Sequence, residues 1–136
     1  MPRDHVRPPG SPPVNGYSHA VAVPGPLVVV SGQVPLDAEG RLVGEDDTEA
    51  QVRQVHANLA TAREAAGSDL AHVVKYTFLL TDLARDDLAR DLPAPRAVRD
   101  GHQDPARPPA SSLVQVAALV RPAFRGEIEA LAVPAV

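Results

Sequence analysis

At 136 residues the chain has room for one domain with its own core and too little for two. A net charge of −4 with only two Phe, two Tyr and no Trp leaves neither the basic face that grips phosphates nor the aromatic platform that stacks on single strands, so a nucleic-acid ligand is disfavoured. The absence of cysteine removes disulfides, thiolate nucleophiles, iron–sulfur clusters and cysteine zinc sites.

Residues 1–13, MPRDHVRPPGSPP, are rich in Pro and Arg, have no apolar segment, and are expected to form a disordered arm ahead of a single domain over 14–136. No apolar run approaches the roughly 20 residues of a membrane span, which points to a soluble cytoplasmic protein. HAVAV (19–23) and LVVVSGQV (27–34) are β-branched runs split by PGP, a hairpin pattern. PLDAEG (35–40) is a turn. Thr48 with Gln51 three residues on predicts a capping box, and Val52, Val55, Leu59, Ala62 and Ala66 then form one apolar helical stripe closed by Gly67. His56 falls on the polar flank of that helix.

AHVVKYTFLL (71–80) alternates as a strand with Val74, Tyr76, Phe78 and Leu80 on one face. Residues 83–100 carry Leu88 and Leu92 at helical spacing, interrupted by Pro93 and Pro95. SLVQVAAL (112–119) and GEIEALAV (126–133) close the chain as strands. The order is β-β-α-β-α-β-β, an α+β sheet with two helices on one face. Val28 and Val30 oppose Leu27 and Val29, and Leu113 opposes Val114, so both sheet faces are apolar while the helices cover only one. The other face is expected to meet a second subunit.

Chemistry-bearing residues are sparse. Five histidines show no metal-ligand spacing, and no metal or cofactor is expected. His19 and His102 are candidate acid–base groups, although an isolated histidine is more often simply structural. Ser31–Gly32 either satisfies local backbone and makes a bulge, or lets a ligand approach exposed backbone. Glu127 and Glu129 share a face of the last strand, as solvated carboxylates or with one orienting a water in a cleft. Arg121 and Arg125 read as solvated turn residues.

The segments NGYSHAV, GPLVVVSGQVPLDAEGRLV, AQVRQVHANLATAREAAG, VVKYTFLLTDL, SSLVQVAAL and GEIEALAV together resemble the RidA (YjgF/YER057c/UK114) family. The resemblance implies a chorismate-mutase-like protomer in a barrel-like homotrimer, with small-molecule pockets at the subunit interfaces. Enzymes of the family hydrolyse reactive enamines and imines, such as 2-aminoacrylate and its imine, to 2-keto acids and ammonia. An arginine in a P-A-R-S segment grips the substrate carboxylate there, and a glutamate on the last strand holds the attacking water. Carried onto this chain, the resemblance makes Glu127 the catalytic glutamate, Tyr17 the pocket tyrosine and Ser31–Gly32 the pocket wall. This chain departs at the arginine: it reads P-A-S-S, so Ser111 takes that position, with Ser112 beside it. PAR occurs literally at 105–107, but four residues of strand span roughly 13 Å, so Arg107 reaches the pocket only if the chain bends at Pro108–Pro109. Ser111 implies a hydrolase of altered substrate preference. The alternatives are a non-catalytic, metabolite-binding regulatory trimer and, against the acidic charge, an endoribonuclease or translation inhibitor.

Overall fold

The computed structural model describes residues 4–6, 9–11, 18, 20–82 and 106–135. Its elements are β1 (Asp4–Val6), β2 (Ala20–Ala22), β3 (Val28–Gln33), α1 (Thr48–Ala65), a 3-10 turn (Leu70–His72), β4 (Val73–Leu80), β5 (Ala110–Gln115) and β6 (Gly126–Ala132). The main sheet has the order β3-β6-β4-β5, antiparallel except for the parallel β4–β5 pair. The mixed α+β architecture agrees with the sequence reading. The expected second helix, 83–100, lies outside the described residues.

Alternation decides the faces. Along β4, Tyr76, Phe78 and Leu80 are buried, as the pattern predicts, and along β6 so are Ile128, Ala130 and Ala132. Val52, Val55 and Leu59 of α1 close over them, together with Val28 and Val30. Each such aliphatic side chain taken from water stabilises the fold by about 1.5–3 kcal/mol. The helix ends in a Schellman motif: Gly67, at φ +86°, donates to the Glu64 carbonyl and Ser68 donates to that of Arg63.

Several local expectations are corrected. The runs around PGP do not form a hairpin, because β2 pairs with β1 while β3 pairs with β6. Pro24 and Pro26 supply no N–H to such a ladder, and β3 gains a buried face only beside β6. Asp4–Val6, assigned to the disordered arm, is a short strand. The helix cap is Asp47 rather than Thr48, its extended backbone (φ −129°, ψ 95°) letting the carboxylate accept the Ala50 N–H at 3.0 Å. Gln51 cannot close a capping box: its amide donates to the Gly44 and Ala123 carbonyls, both at 2.9 Å, and accepts the Arg125 N–H at 2.8 Å. Arg125 itself is not solvated, since its guanidinium reaches Asp46 at 2.6 Å and Thr48 at 3.4 Å. His56 is buried rather than on a polar flank, packed edge-on against Tyr76 with ring centroids 6.0 Å apart. β5 stops at Gln115, because its partner β4 ends at Leu80 and offers no ladder beyond.

Candidate functional site

The sheet face opposite α1 carries Val29, Ser31, Lys75, Thr77, Leu79, Glu127, Glu129 and Leu131. At one end of it, β3 departs from regular pairing. Val30 opposes Ala130 and Gln33 opposes Ile128, so Ser31 and Gly32 together face the single residue Glu129. That is a β-bulge, one of the two uses the sequence suggested for Ser31–Gly32. The other use is served as well, for a protein group if not a ligand: the Glu127 carboxylate folds directly over the Gly32 backbone. A Cβ on residue 32 would lie 2.8 Å from the Glu127 carboxyl carbon, closer than side chains approach. Partial burial, and secondarily the charge of Glu129, holds Glu127 above the ordinary carboxylate range. A carboxylate so placed is a stronger base than a solvated one.

Beside this group, Val29, Lys75, Thr77, Glu129 and Leu131 line a depression of about 220 Å³. The Lys75 ammonium donates to the Ser112 hydroxyl at 2.7 Å, which puts Ser112 on this same face. A wider groove of about 640 Å³ runs between α1 and the segment after β3. Its amides are committed to structure: Asn58 donates to the Val34 and Leu36 carbonyls, both at 2.9 Å, and holds the turn in place.

Ser111 lies elsewhere. It pairs with Tyr76 across β4–β5, whereas Glu127 pairs with Leu79 across β4–β6. Tyr76 and Leu79 point to opposite faces, so Ser111 lies on the α1 side and Glu127 on the open side, two strands across and three residues along the sheet, roughly 14 Å apart. One chain therefore does not bring Ser111 and Glu127 to a common point. Arg107 is exposed at the mouth of β5, ahead of Pro108 and Pro109, which are buried and whose carbonyls accept the Ser18 hydroxyl at 2.6 Å and the Ser18 N–H at 2.9 Å. Tyr17, His19 and His102 lie outside the described residues. Among the described residues no cluster of His, Asp and Glu could hold a metal ion.

The sequence reading passed over Lys75 and Arg63. Lys75 had one visible signal, a cation in the middle of an alternating strand. Arg63 had another, its place four residues after Leu59 on the apolar stripe of α1. It is 5% exposed, and its Nη1 lies 3.5 Å from the Tyr76 hydroxyl.

A helix-backed mixed sheet, an exposed second face and a glutamate laid over a glycine bulge describe an α+β domain whose polar groups gather at its sheet surface and edges. The comparisons give that class a family. The chain matches the family model described as Endoribonuclease L-PSP over residues 9–134. It resembles the solved Rid-family protein YyfB of Yersinia pestis, itself of unknown function, with a TM-score of 0.82 and 35% identity over 97% of this chain and 98% of that one. It is 39% identical over 123 residues to Protein DfrA of Myxococcus xanthus, covering 88% of this chain and 86% of the relative. It is 38% identical over 109 residues to the 2-iminobutanoate/2-iminopropanoate deaminase of Salmonella typhimurium, covering 80% of each. The protein belongs to the RidA (YjgF/YER057c/UK114) family.

Proposed function

We propose that the protein is a homotrimeric hydrolase of small imines or enamines, with each pocket formed between two subunits and Glu127 as its water-orienting base. The observation that carries this reading is the Glu127 carboxylate, lodged on the Gly32 bulge in a partly desolvated position that strengthens it as a base. The kinship to an iminobutanoate/iminopropanoate deaminase supplies the reaction class. In it, Glu127 takes a proton from water as the water oxygen attacks the imine carbon. The nitrogen is protonated and leaves as ammonia, and the carbon becomes a ketone.

Two features support assembly. Leu27, Val29, Val114 and Val120 are large apolar side chains left exposed. Ser111 and Glu127, the two positions that the family pocket brings together, diverge within one chain and can converge only between chains. With Ser111 in the arginine position, substrate preference shifts from that of arginine-bearing relatives. The same missing guanidinium favours, as second reading, a trimer that binds a metabolite without turning it over.

Turnover separates the two. Imine generated in situ from 2-aminoacrylate, with 2-keto acid and ammonia followed together, should be hydrolysed faster by the wild type than by Glu127→Gln. Equal rates for the two proteins would refute the hydrolase reading.

A further inference from the structure

The four strands of the main sheet carry three charged residues: Lys75 on β4, and Glu127 and Glu129 on β6, all on the open face. β3 and β5 add none. Glu127 and Glu129 are two residues apart on one strand, so their side chains leave the sheet side by side, roughly 7 Å apart at the backbone. Like charges so placed disfavour each other, and a cation drawn to either one relieves both.

Lys75 stands where it could be that cation. It lies opposite Leu131 on β6 and opposite Ala110 on β5, so Glu129 is its diagonal neighbour on one side and Ser112 on the other. Diagonal neighbours across an antiparallel pair are roughly 7–8 Å apart, within reach of a long side chain. The ammonium nevertheless turns to β5: Nζ donates to the Ser112 hydroxyl at 2.7 Å, and the Lys75–Glu129 ion pair that the register permits is not made. Nearby charges are engaged elsewhere. Arg125, just ahead of β6, reaches Asp46, and in the turn after β3 Arg41 lies 3.5 Å from Asp37. Burial is the first cause that raises Glu127 above the ordinary carboxylate range, and the charge of Glu129 is the second.

We propose that Ser112 is a positioning residue for Glu127: by holding the Lys75 ammonium on β5 it keeps the Glu129 charge un-neutralised, and that charge favours a proton on Glu127. The base of the site is thus tuned from two strands away. The consequence for turnover rests on the reading of Glu127 as the base of a hydrolase, whereas the charge relationship stands without turnover.

Carbon-13 NMR titration of the glutamate carboxyl groups in the full-length protein tests this, with Glu127→Gln identifying the Glu127 signal. Glu129→Gln should lower the Glu127 midpoint by about half a pH unit or more. Ser112→Ala, which releases Lys75 to Glu129, should move it in the same direction, and Ser112→Thr, which keeps the hydroxyl, should hold it at the wild-type value. Ser112→Ala/Lys75→Met should restore the wild-type midpoint, because the cation that would neutralise Glu129 is gone. An unmoved midpoint in Glu129→Gln or in Ser112→Ala overturns the proposal. So does a midpoint that stays lowered in Ser112→Ala/Lys75→Met, since the effect would then come from packing and not from charge. The acid limb of the pH profile of kcat/KM for imine hydrolysis should follow these midpoints. Midpoints that move while that limb stays in place, or without any turnover, would refute the reading of Glu127 as a hydrolytic base and uphold the positioning role of Ser112.

Discussion

Gly32 and Glu127 fit only as a pair: the carboxyl carbon of Glu127 stands 2.8 Å from the point where a Cβ on residue 32 would be. The glycine at the bulge is therefore set by the glutamate across the ladder, since its own backbone is not in the left-handed region. Gly32→Ala should displace the Glu127 carboxylate, whose flexible end can swing aside, and destabilise the fold by about 1 kcal/mol, the low end of the overpacking range. Gly32→Ala/Glu127→Ala should cost less than the sum of the two single changes, because the clash needs both side chains. Urea unfolding of the four proteins measures that difference, and strict additivity would mean the bulge relaxes without meeting Glu127.

The raised pKa of Glu127 has a stability consequence with a definite sign. Its carboxyl binds a proton more tightly in the folded chain than in the unfolded one, where it titrates as an ordinary glutamate near 4.5. Folding stability from this group therefore falls as pH rises from about that value through the folded pKa, and the loss persists at neutral pH. Glu127→Gln should accordingly unfold at higher temperature than wild type at pH 7, with the gap closing toward pH 4. The same change should lower kcat by roughly 100- to 10,000-fold, the usual contribution of a general base, and leave ligand affinity within about tenfold. Thermal melts across pH and steady-state kinetics provide the two readouts.

Much of the sheet could be read from its alternation. Tyr76, Phe78 and Leu80 announce their buried face by spacing alone, and Ser31–Gly32 announces its bulge by a glycine inside a β-branched run. What spacing could not carry was partnership between distant segments. The capping box at Thr48 looked complete because nothing local shows that Ala123 and Arg125, more than seventy residues away, claim the Gln51 amide. His56 looked solvent-facing because a helical wheel does not know that Tyr76 and Phe78 will pack around it. In the site, Glu127 and Gly32 were identified singly but their contact was not.

The helix cap gives a local check on the fold. Asp47→Ala removes the acceptor of the Ala50 N–H and should cost about 1 kcal/mol. Thr48→Ala leaves that cap acceptor in place, Thr48 accepting a long contact of 3.4 Å from Arg125, and should cost less. Denaturant midpoints for the two variants order these costs, and the reverse order would return the cap to Thr48.

The exposed apolar face should be closed by like subunits. Sedimentation equilibrium at micromolar concentration should give three times the 14.3 kDa chain mass. Val29, 72% exposed near the start of β3, should lie within that interface, so Val29→Asp should shift the protein toward the single-chain mass. A wild type that sediments as one chain would exclude the interfacial pocket.

Subunit mixing tests most directly whether the site is shared between chains. Ser111→Trp, which fills one half of the pocket, and Glu127→Gln, which disarms the other, should each be inactive alone. Unfolded together and refolded in equal amounts, they should form mixed trimers in which about a quarter of the interfaces join an intact Ser111 half to an intact Glu127 half. The predicted result is recovery of about a quarter of wild-type imine hydrolysis from two inactive proteins. Mixed trimers that form and remain inactive would contradict it.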